Sequence, residues 1–163
     1  MTERAPETMV RMGELAVSRS SGAVLVSLGL GSCIGLALIG ASSAGLAHVV
    51  LPEAPASGGG TTPGKFGDTA VPALLAALGA PARGLQAVLV GGASMFSYAA
   101  SGDIGERNEA STRAALAAVG IPVVAACTRG NQGRTVRVHV GSGRVTVKEA
   151  GAAEVELYAG RAA

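Results

Sequence analysis

Cys33 is the side chain in this sequence whose type and surroundings most favour chemistry. It follows the stretch Gly-Leu-Gly-Ser at residues 29–32. Two glycines there allow a tight backbone that points amide N–H groups at one spot. Such amides, beside a nucleophile, can stabilise a tetrahedral oxyanion, and the loss of one donor costs ~3 kcal/mol of barrier. The thiol attacks as its thiolate, so it needs a base or a cation nearby.

His48 is the candidate for that base. Two short apolar segments, residues 34–39 and 46–51, flank a turn at residues 40–44, and this pattern predicts a β-hairpin. Cys33 comes just before the first strand and His48 lies late in the second. The hairpin therefore brings the two side chains to the same end, although the strand register cannot be read from the sequence.

Each of these residues also has an ordinary structural explanation. A single cysteine among glycine and apolar residues is typically a small core residue, and a histidine within an apolar segment is typically a satisfied core residue. Cys127 ends an aliphatic segment with no base nearby, so we interpret it as structural. Three further polar residues are more typical of caps or turns than of a site: Asn108, Asn131 and Arg134.

Several other functions fit the sequence poorly. The glycine stretch lacks the Lys-Ser/Thr of a P-loop and the third glycine of a dinucleotide fingerprint, and the histidines and cysteines lack metal-ligand spacing. No cofactor or metal is therefore expected. Aromatic residues make up 2%, and a net charge of +2 is spread along the chain, so no nucleic-acid partner is expected. The longest apolar stretch, residues 34–50, is interrupted by Gly40 and His48, which argues against membrane insertion.

The remaining elements predict one layered domain. Residues 68–78 have helical apolar spacing, with Asp68 placed to cap the helix and Gly79 to stop it, and a second helix begins near residues 105–106 and ends at Gly120. Strand-rich ends around two helices predict an α/β or α+β domain. The further strands are predicted at residues 14–17 and 23–26, which can pair with each other, and at 86–90, 121–126, 135–140 and 144–147. The strand at 121–126 is expected to be buried.

We divide the 163 residues into a flexible N-terminal segment (1–12), a domain (13–148) and a frayed C-terminal tail (149–163). The glycine- and proline-rich residues 55–64 are predicted to form a mobile loop after the hairpin. Residues 1–12 contain no apolar stretch, which indicates that they are not a secretory signal. We therefore expect a cytoplasmic protein, in which the two cysteines are free thiols.

Six short segments follow one another in a recognisable order over residues 12–148. They are Leu28-Gly29-Leu30-Gly31-Ser32-Cys33, Gly45-Leu46-Ala47-His48-Val49-Val50-Leu51-Pro52, Lys65-Phe66-Gly67-Asp68-Thr69-Ala70-Val71-Pro72, Gly91-Gly92-Ala93-Ser94-Met95-Phe96, Ile104-Gly105-Glu106-Arg107-Asn108 and Gly130-Asn131-Gln132-Gly133-Arg134-Thr135-Val136. In this order they resemble the CheD family, the chemoreceptor glutamine deamidases of bacterial and archaeal chemotaxis.

The resemblance implies a three-layer α/β sandwich similar to bacterial toxin deamidases and a papain-like mechanism. It places the nucleophile at Cys33, the base at His48 and the oxyanion-binding backbone near Gly31 and Ser32. The family's third catalytic residue is a threonine six residues before the cysteine, and here that position is Ser27. Serine keeps the hydroxyl that can orient the imidazole but lacks the β-branch that restricts the rotamer.

The resemblance also implies partners. The substrate would be the cytoplasmic helices of a methyl-accepting chemoreceptor, which dock in a groove flanking Cys33 with residues 55–64 and 94–103 as its walls. A second partner that the family allows is a CheC-type phosphatase. Two other functions stay open: a regulatory binding protein of low activity that docks the phosphatase or receptor, and a general cysteine protease. An activated Cys33 should react with alkylating agents faster than a buried structural cysteine does.

Overall fold

The computed structural model describes residues 6–95 and 103–160, and these form ten β-strands and two α-helices. The first five strands precede the helices in the chain: β1 (Glu7–Met9), β2 (Leu15–Ser18), β3 (Val24–Leu30), β4 (Ile34–Ile39) and β5 (Ala44–Val49). Then follow α1 (Gly67–Leu78), β6 (Gln86–Gly91), α2 (Ile104–Ala118), β7 (Val123–Thr128), β8 (Arg134–His139), β9 (Val145–Glu149) and β10 (Val155–Tyr158). Two short 3₁₀ turns lie at Pro63–Lys65 and Ala82–Gly84.

The strands form two five-stranded sheets. The outer sheet has the order β1-β3-β8-β9-β10, and the inner sheet has the order β2-β5-β4-β6-β7. One apolar core lies between the sheets, and a second lies between the inner sheet and the two helices. Strands β4 and β5 are buried along their whole length because both of their faces are covered. The three-layer α+β sandwich predicted for the chain is therefore confirmed.

The predicted hairpin forms from β4 and β5 and determines where the candidate residues lie. Its antiparallel register pairs Ile34 with Val49 and Gly35 with His48. The second predicted hairpin also forms, from β8 and β9, with Val138 opposite Val145. In both cases a short turn joins apolar segments that a layered core can bury, which is why local patterns were sufficient to predict them.

The ends of the chain differ from the expectation. Glu7–Met9, within the segment expected to be flexible, pairs in parallel with β3, and Val10 beside it is buried. Val155–Tyr158, within the tail expected to be frayed, pairs with β9, and the Tyr158 hydroxyl donates to Gln86 Oε1 at 2.6 Å. Both segments add edge strands to the outer sheet, because its exposed edges supply hydrogen-bonding partners that no local pattern reveals.

Two strand predictions are corrected as well. Residues 14–17 and 23–26 do not pair with each other, because β2 pairs with β5 in the inner sheet and β3 pairs with β8 in the outer sheet. Strand β7 was expected to be buried, but it is an edge strand of the inner sheet with Val124 exposed. Whether a strand lies at the edge of a sheet depends on the order of the strands, which the sequence alone does not specify.

The helices form close to where they are predicted. Gly79, in a left-handed conformation, ends α1 as expected. Asp68 does not cap that helix: the N-cap residue is Phe66, and the Asp68 carboxylate accepts from the Ala54 N–H at 2.9 Å instead. Asp103 caps α2 by accepting from the Gly105 N–H. Neither α1 nor α2, nor any other helix in the described ranges, is long and apolar enough to cross a membrane.

Candidate active site

Cys33 and His48 lie on the same face of the inner sheet. Cys33 immediately precedes β4, and Gly35, two residues on, is paired with His48 on β5. Because strand side chains alternate between faces, all three positions project toward the outer sheet. The Cys33 thiol belongs to the core between the sheets, and both side chains are almost completely buried, with 8% of Cys33 and 3% of His48 exposed. The hairpin thus places the thiol and the imidazole on one face of the inner sheet, at diagonal positions of the β4–β5 pair.

The two nitrogens of His48 have different surroundings. Nδ1 lies 3.2 Å from the carbonyl oxygen of Val10, in the segment that joins β1 to β2. A carbonyl can only accept a hydrogen bond, so the neutral ring carries its proton on Nδ1. Nε2 is buried and has no hydrogen-bond partner among the described residues. The unprotonated nitrogen is therefore the free one, as a general base requires.

Ser27 reaches the histidine indirectly. It is fully buried on β3, and its hydroxyl donates to the Val10 carbonyl at 2.8 Å. This is the same oxygen that lies against His48 Nδ1. Ser27 and His48 thus share one acceptor, and the group in contact with the ring is a main-chain carbonyl. The expectation that Ser27 itself touches the imidazole does not match these contacts.

Burial shifts both candidate catalytic groups toward their neutral forms. It raises the pKa of the Cys33 thiol. It also lowers the pKa of His48, and the Val10 hydrogen bond and the Glu14 carboxylate oppose that effect without cancelling it. Both shifts favour a neutral thiol on Cys33 and a neutral imidazole on His48 at neutral pH.

The backbone amides at residues 31–33 differ in their hydrogen bonding. In the described ranges no backbone carbonyl accepts from the amides of Ser32 and Cys33, whereas the Gly31 amide donates to the Gly29 carbonyl at 3.0 Å. Gly29 has a φ of +64°, which sharpens the turn. Of the predicted oxyanion positions, Ser32 thus has a free amide, and Gly31 does not. Cys33 supplies the second free amide.

Gly91 and Gly92 bring β6 against Cys33. The Gly92 amide donates to the Cys33 carbonyl at 2.8 Å, and a Cβ on Gly91, whose φ is +114°, would lie 2.1 Å from that same oxygen. No residue with a side chain can occupy that position without moving Cys33. Glycine is therefore required here for close backbone approach, a role that the sequence analysis did not assign to this pair.

Comparison with known proteins shows the family of this chain. Residues 50–149 match the family model described as CheD, chemotactic sensory transduction. A relative from Symbiobacterium thermophilum is 44% identical over 96% of this chain and 100% of its own length. A relative from Clostridium botulinum (strain Alaska E43) is 40% identical, over 93% of this chain and 98% of its own. Both are named as probable chemoreceptor glutamine deamidase CheD.

The chain belongs to the CheD family. Three of the six segments that carried the resemblance surround the site described above, namely those ending at Cys33, containing His48 and beginning at Gly91. This confirms the family membership predicted from the order of those segments.

Helix α2 supports the CheD-type site from the opposite side of the inner sheet. The Asn108 side-chain nitrogen donates to the carbonyls of Ser32 and Val50, each at 3.0 Å, and Asn108 is fully buried. One residue on, the Glu109 carboxylate accepts from Thr128 and from Arg129. Burial opposes ionisation of Glu109, but these bonds and one from Arg113 outweigh it and lower its pKa. The buried face of α2 is thus bonded to three segments around the site.

Asn108 is not the cap or turn residue that its sequence context suggests. A signal was present, because Gly105, Asn108, Glu109, Thr112 and Leu116 are the buried residues of α2, and three of them are polar. Polar side chains at helical spacing on a buried face require fixed partners. The Val10 carbonyl gave no such signal, since every residue carries that group.

The other predicted residues lie outside the site. Cys127 on β7 is a free, half-buried cysteine that packs against the core between the sheets, which fits its structural interpretation. Asn131 is exposed in the loop before β8. Arg134 is buried, pairs with Glu149 and donates to the Gly91 carbonyl at 3.2 Å, so it braces the Gly91–Gly92 turn. The described part of the chain contains no cluster of side chains suited to a metal ion.

The surroundings of the site are partly apolar. The exposed side chain of Met95 lies over Gly31, with Met95 Cγ 3.3 Å from where a Gly31 Cβ would stand. Leu28 on β3 and Leu51 after β5 are also exposed. Of the two predicted groove walls, residues 55–64 have no strand or α-helix, as expected, while residues 96–102 of the other lie outside the described residues.

Proposed function

We propose that this CheD-family chain is a cysteine hydrolase that deamidates glutamine side chains of chemoreceptors, with Cys33 as nucleophile and His48 as base. The observation that carries the proposal is the state of His48: Nδ1 is held by the Val10 carbonyl, while Nε2 is free on the face that bears the Cys33 thiol. The names of the relatives, probable chemoreceptor glutamine deamidases, support the substrate.

Acylation begins with a proton transfer. His48 Nε2 takes the proton of the Cys33 thiol as the sulfur attacks the carboxamide carbon of the substrate glutamine. The carbonyl oxygen becomes an oxyanion, which the Ser32 and Cys33 amides stabilise. The protonated His48 then gives its proton to the amide nitrogen, the C–N bond breaks and ammonia leaves, so that a thioester joins the substrate to Cys33.

Hydrolysis of the thioester repeats the two proton transfers of His48, with water in place of the thiol. His48 Nε2 takes a proton from water, whose oxygen attacks the thioester carbon. The tetrahedral intermediate collapses, the C–S bond breaks, and the proton on His48 returns to the Cys33 sulfur. The products are a glutamate side chain and the regenerated thiol. Val10 and Ser27 take no part in these transfers but keep the ring in the orientation that both steps need.

The exposed apolar side chains near the site suit a protein substrate. Leu28, Leu51 and Met95 are exposed on three different segments, and an amphipathic receptor helix could cover them. Deamidation would add a negative charge to that helix and create a methyl-accepting side chain. We place this activity in the cytoplasm, where the receptor helices lie, and keep a CheC-type phosphatase as the second partner.

The test is mass spectrometry of a chemoreceptor cytoplasmic fragment after incubation with the protein. We expect glutamine-to-glutamate conversion with the wild type and none with Cys33→Ala or His48→Ala. Cys127→Ala is the matched control, because it removes the other thiol from the same core and should retain activity.

Two outcomes would contradict the proposal. Conversion that persists in Cys33→Ala would assign the reaction to another group. Absence of conversion with intact receptor binding would favour the regulatory docking protein of low activity.

A further inference from the structure

Asn108 connects the two strand ends that carry the catalytic pair. Its side-chain nitrogen has two N–H groups, and both are used: one donates to the carbonyl of Ser32, directly before Cys33, and one to the carbonyl of Val50, two residues after His48. The Oδ1 atom is buried and has no hydrogen-bond partner among the described residues. A buried acceptor without a donor costs free energy, so Oδ1 does not hold the side chain in this orientation. The two hydrogen bonds donated by the side-chain nitrogen do.

The rest of α2 holds Asn108 in place. The Thr112 hydroxyl donates to the main-chain carbonyl of Asn108 at 2.8 Å. A Cβ on Gly105 would lie 2.4 Å from the Ala93 carbonyl oxygen, so the helix packs directly on the turn after β6. The Glu109 bonds to Thr128 and Arg129 fix the next segment. Asn108 is therefore a rigid donor and not a mobile surface amide.

The bond from Asn108 to Ser32 has a geometric consequence for Cys33. The Ser32 carbonyl and the Cys33 N–H belong to one planar trans peptide, in which the two groups point in opposite directions. Asn108 draws the carbonyl toward the helix layer. The N–H then points away from Asn108 and the helix layer, and the Cys33 thiol lies in the core on the other side of the inner sheet.

We propose that Asn108 is a positioning residue that aims the Cys33 N–H at the oxyanion by fixing the Ser32–Cys33 peptide from behind the sheet. Its donation to the Ser32 carbonyl also polarises that peptide and strengthens the N–H as a donor. Asn108 acts through the backbone and does not touch the substrate. This inference rests on the proposed deamidase function and adds to it the group that orients its oxyanion donor.

The experiment measures kcat and KM for deamidation of the receptor fragment by the wild type, Asn108→Ala and Asn108→Asp. Both variants lose the two N–H donors, and the second keeps the shape of the side chain. Because a misplaced donor stabilises the transition state less but leaves docking unchanged, we expect kcat to fall by about 10²-fold with KM nearly constant. The rate of Cys33 alkylation by iodoacetamide should stay at the wild-type value, since that reaction forms no oxyanion.

Leu116→Ala is the control for loss of helix packing. It truncates a buried residue of the same helix, far from Ser32, and should lower the melting temperature without changing kcat at temperatures where the protein is folded.

Each other result overturns a defined claim. Wild-type kcat in both variants would show that the Asn108 bonds do not aim the donor. A parallel loss of kcat and alkylation rate would mean that Asn108 only holds the thiol in place, and a failure of both variants to fold would make it a structural residue. An inactive wild type would instead refute the proposed deamidase, so the two failures are distinguishable.

Discussion

Replacing Ser27 tests how His48 is oriented. The Ser27 hydroxyl and His48 Nδ1 both lie against the Val10 carbonyl, at 2.8 and 3.2 Å. In Ser27→Ala the carbonyl loses one donor but keeps the histidine. No buried acceptor is left unpaired, and the ring keeps its contact and its tautomer.

The expected loss is therefore small. A neutral hydrogen bond contributes about 0.5–1.5 kcal/mol net, and no orphaned acceptor adds to that cost. Even if all of it were lost in the transition state, the rate would fall by about tenfold at most, because each 1.36 kcal/mol corresponds to about a factor of ten. By contrast, a third group that holds the ring directly can be worth ~10⁴ in kcat.

The assay is the initial rate of glutamine deamidation on a receptor fragment, with urea unfolding of each variant run in parallel. Ser27→Ala should lose about 1 kcal/mol of stability and keep at least about a tenth of the activity. Ser27→Thr keeps the donor and restricts its rotamer, so its rate should equal or exceed that of the wild type. A loss of ~10³-fold or more in a folded Ser27→Ala would refute this reasoning and make the serine a direct partner of His48.

Two further predictions follow from the site. Gly91→Ala should destabilise the protein and abolish deamidation, because its Cβ would collide with the Cys33 carbonyl. The control is Gly120→Ala, with a φ of +73° and open space around it, which should cost only the ~1–3 kcal/mol of the backbone conformation and leave activity unchanged. Equal effects of the two substitutions would contradict the packing argument. In a pH–rate profile the acid limb should lie below pH 6.5, because activity needs neutral His48 and burial lowers its pKa. The alkaline limb should lie above pH 9.0, because burial raises the Cys33 pKa and a thiol that loses its proton to solvent leaves none on His48 for the departing ammonia. An alkylation rate of Cys33 already maximal at pH 7 would show instead that the free protein holds a thiolate.

The hairpin that juxtaposes Cys33 and His48 could be predicted because it depends on neighbours in the sequence. Two apolar segments and a turn favour antiparallel pairing wherever a core can cover them. The order of short segments around these residues was also enough to predict the CheD family. The terminal strands could not be predicted, because β1 and β10 form by adding to sheet edges that exist only in the folded chain.

What the sequence determined by itself was the pair of candidate reacting groups, Cys33 and His48, and the hairpin that places them on one face of the inner sheet. The tertiary structure decided how those groups are held. The carbonyl at His48 Nδ1 comes from a residue 38 positions away, and the amide that binds the Ser32 carbonyl comes from one 76 positions away. A backbone carbonyl has no sequence signature, because every residue carries one. A buried asparagine needs hydrogen-bond partners, but the sequence does not say which groups they are. Only the stacking of the three layers brings Val10, Ser27 and Asn108 to the ends of one hairpin.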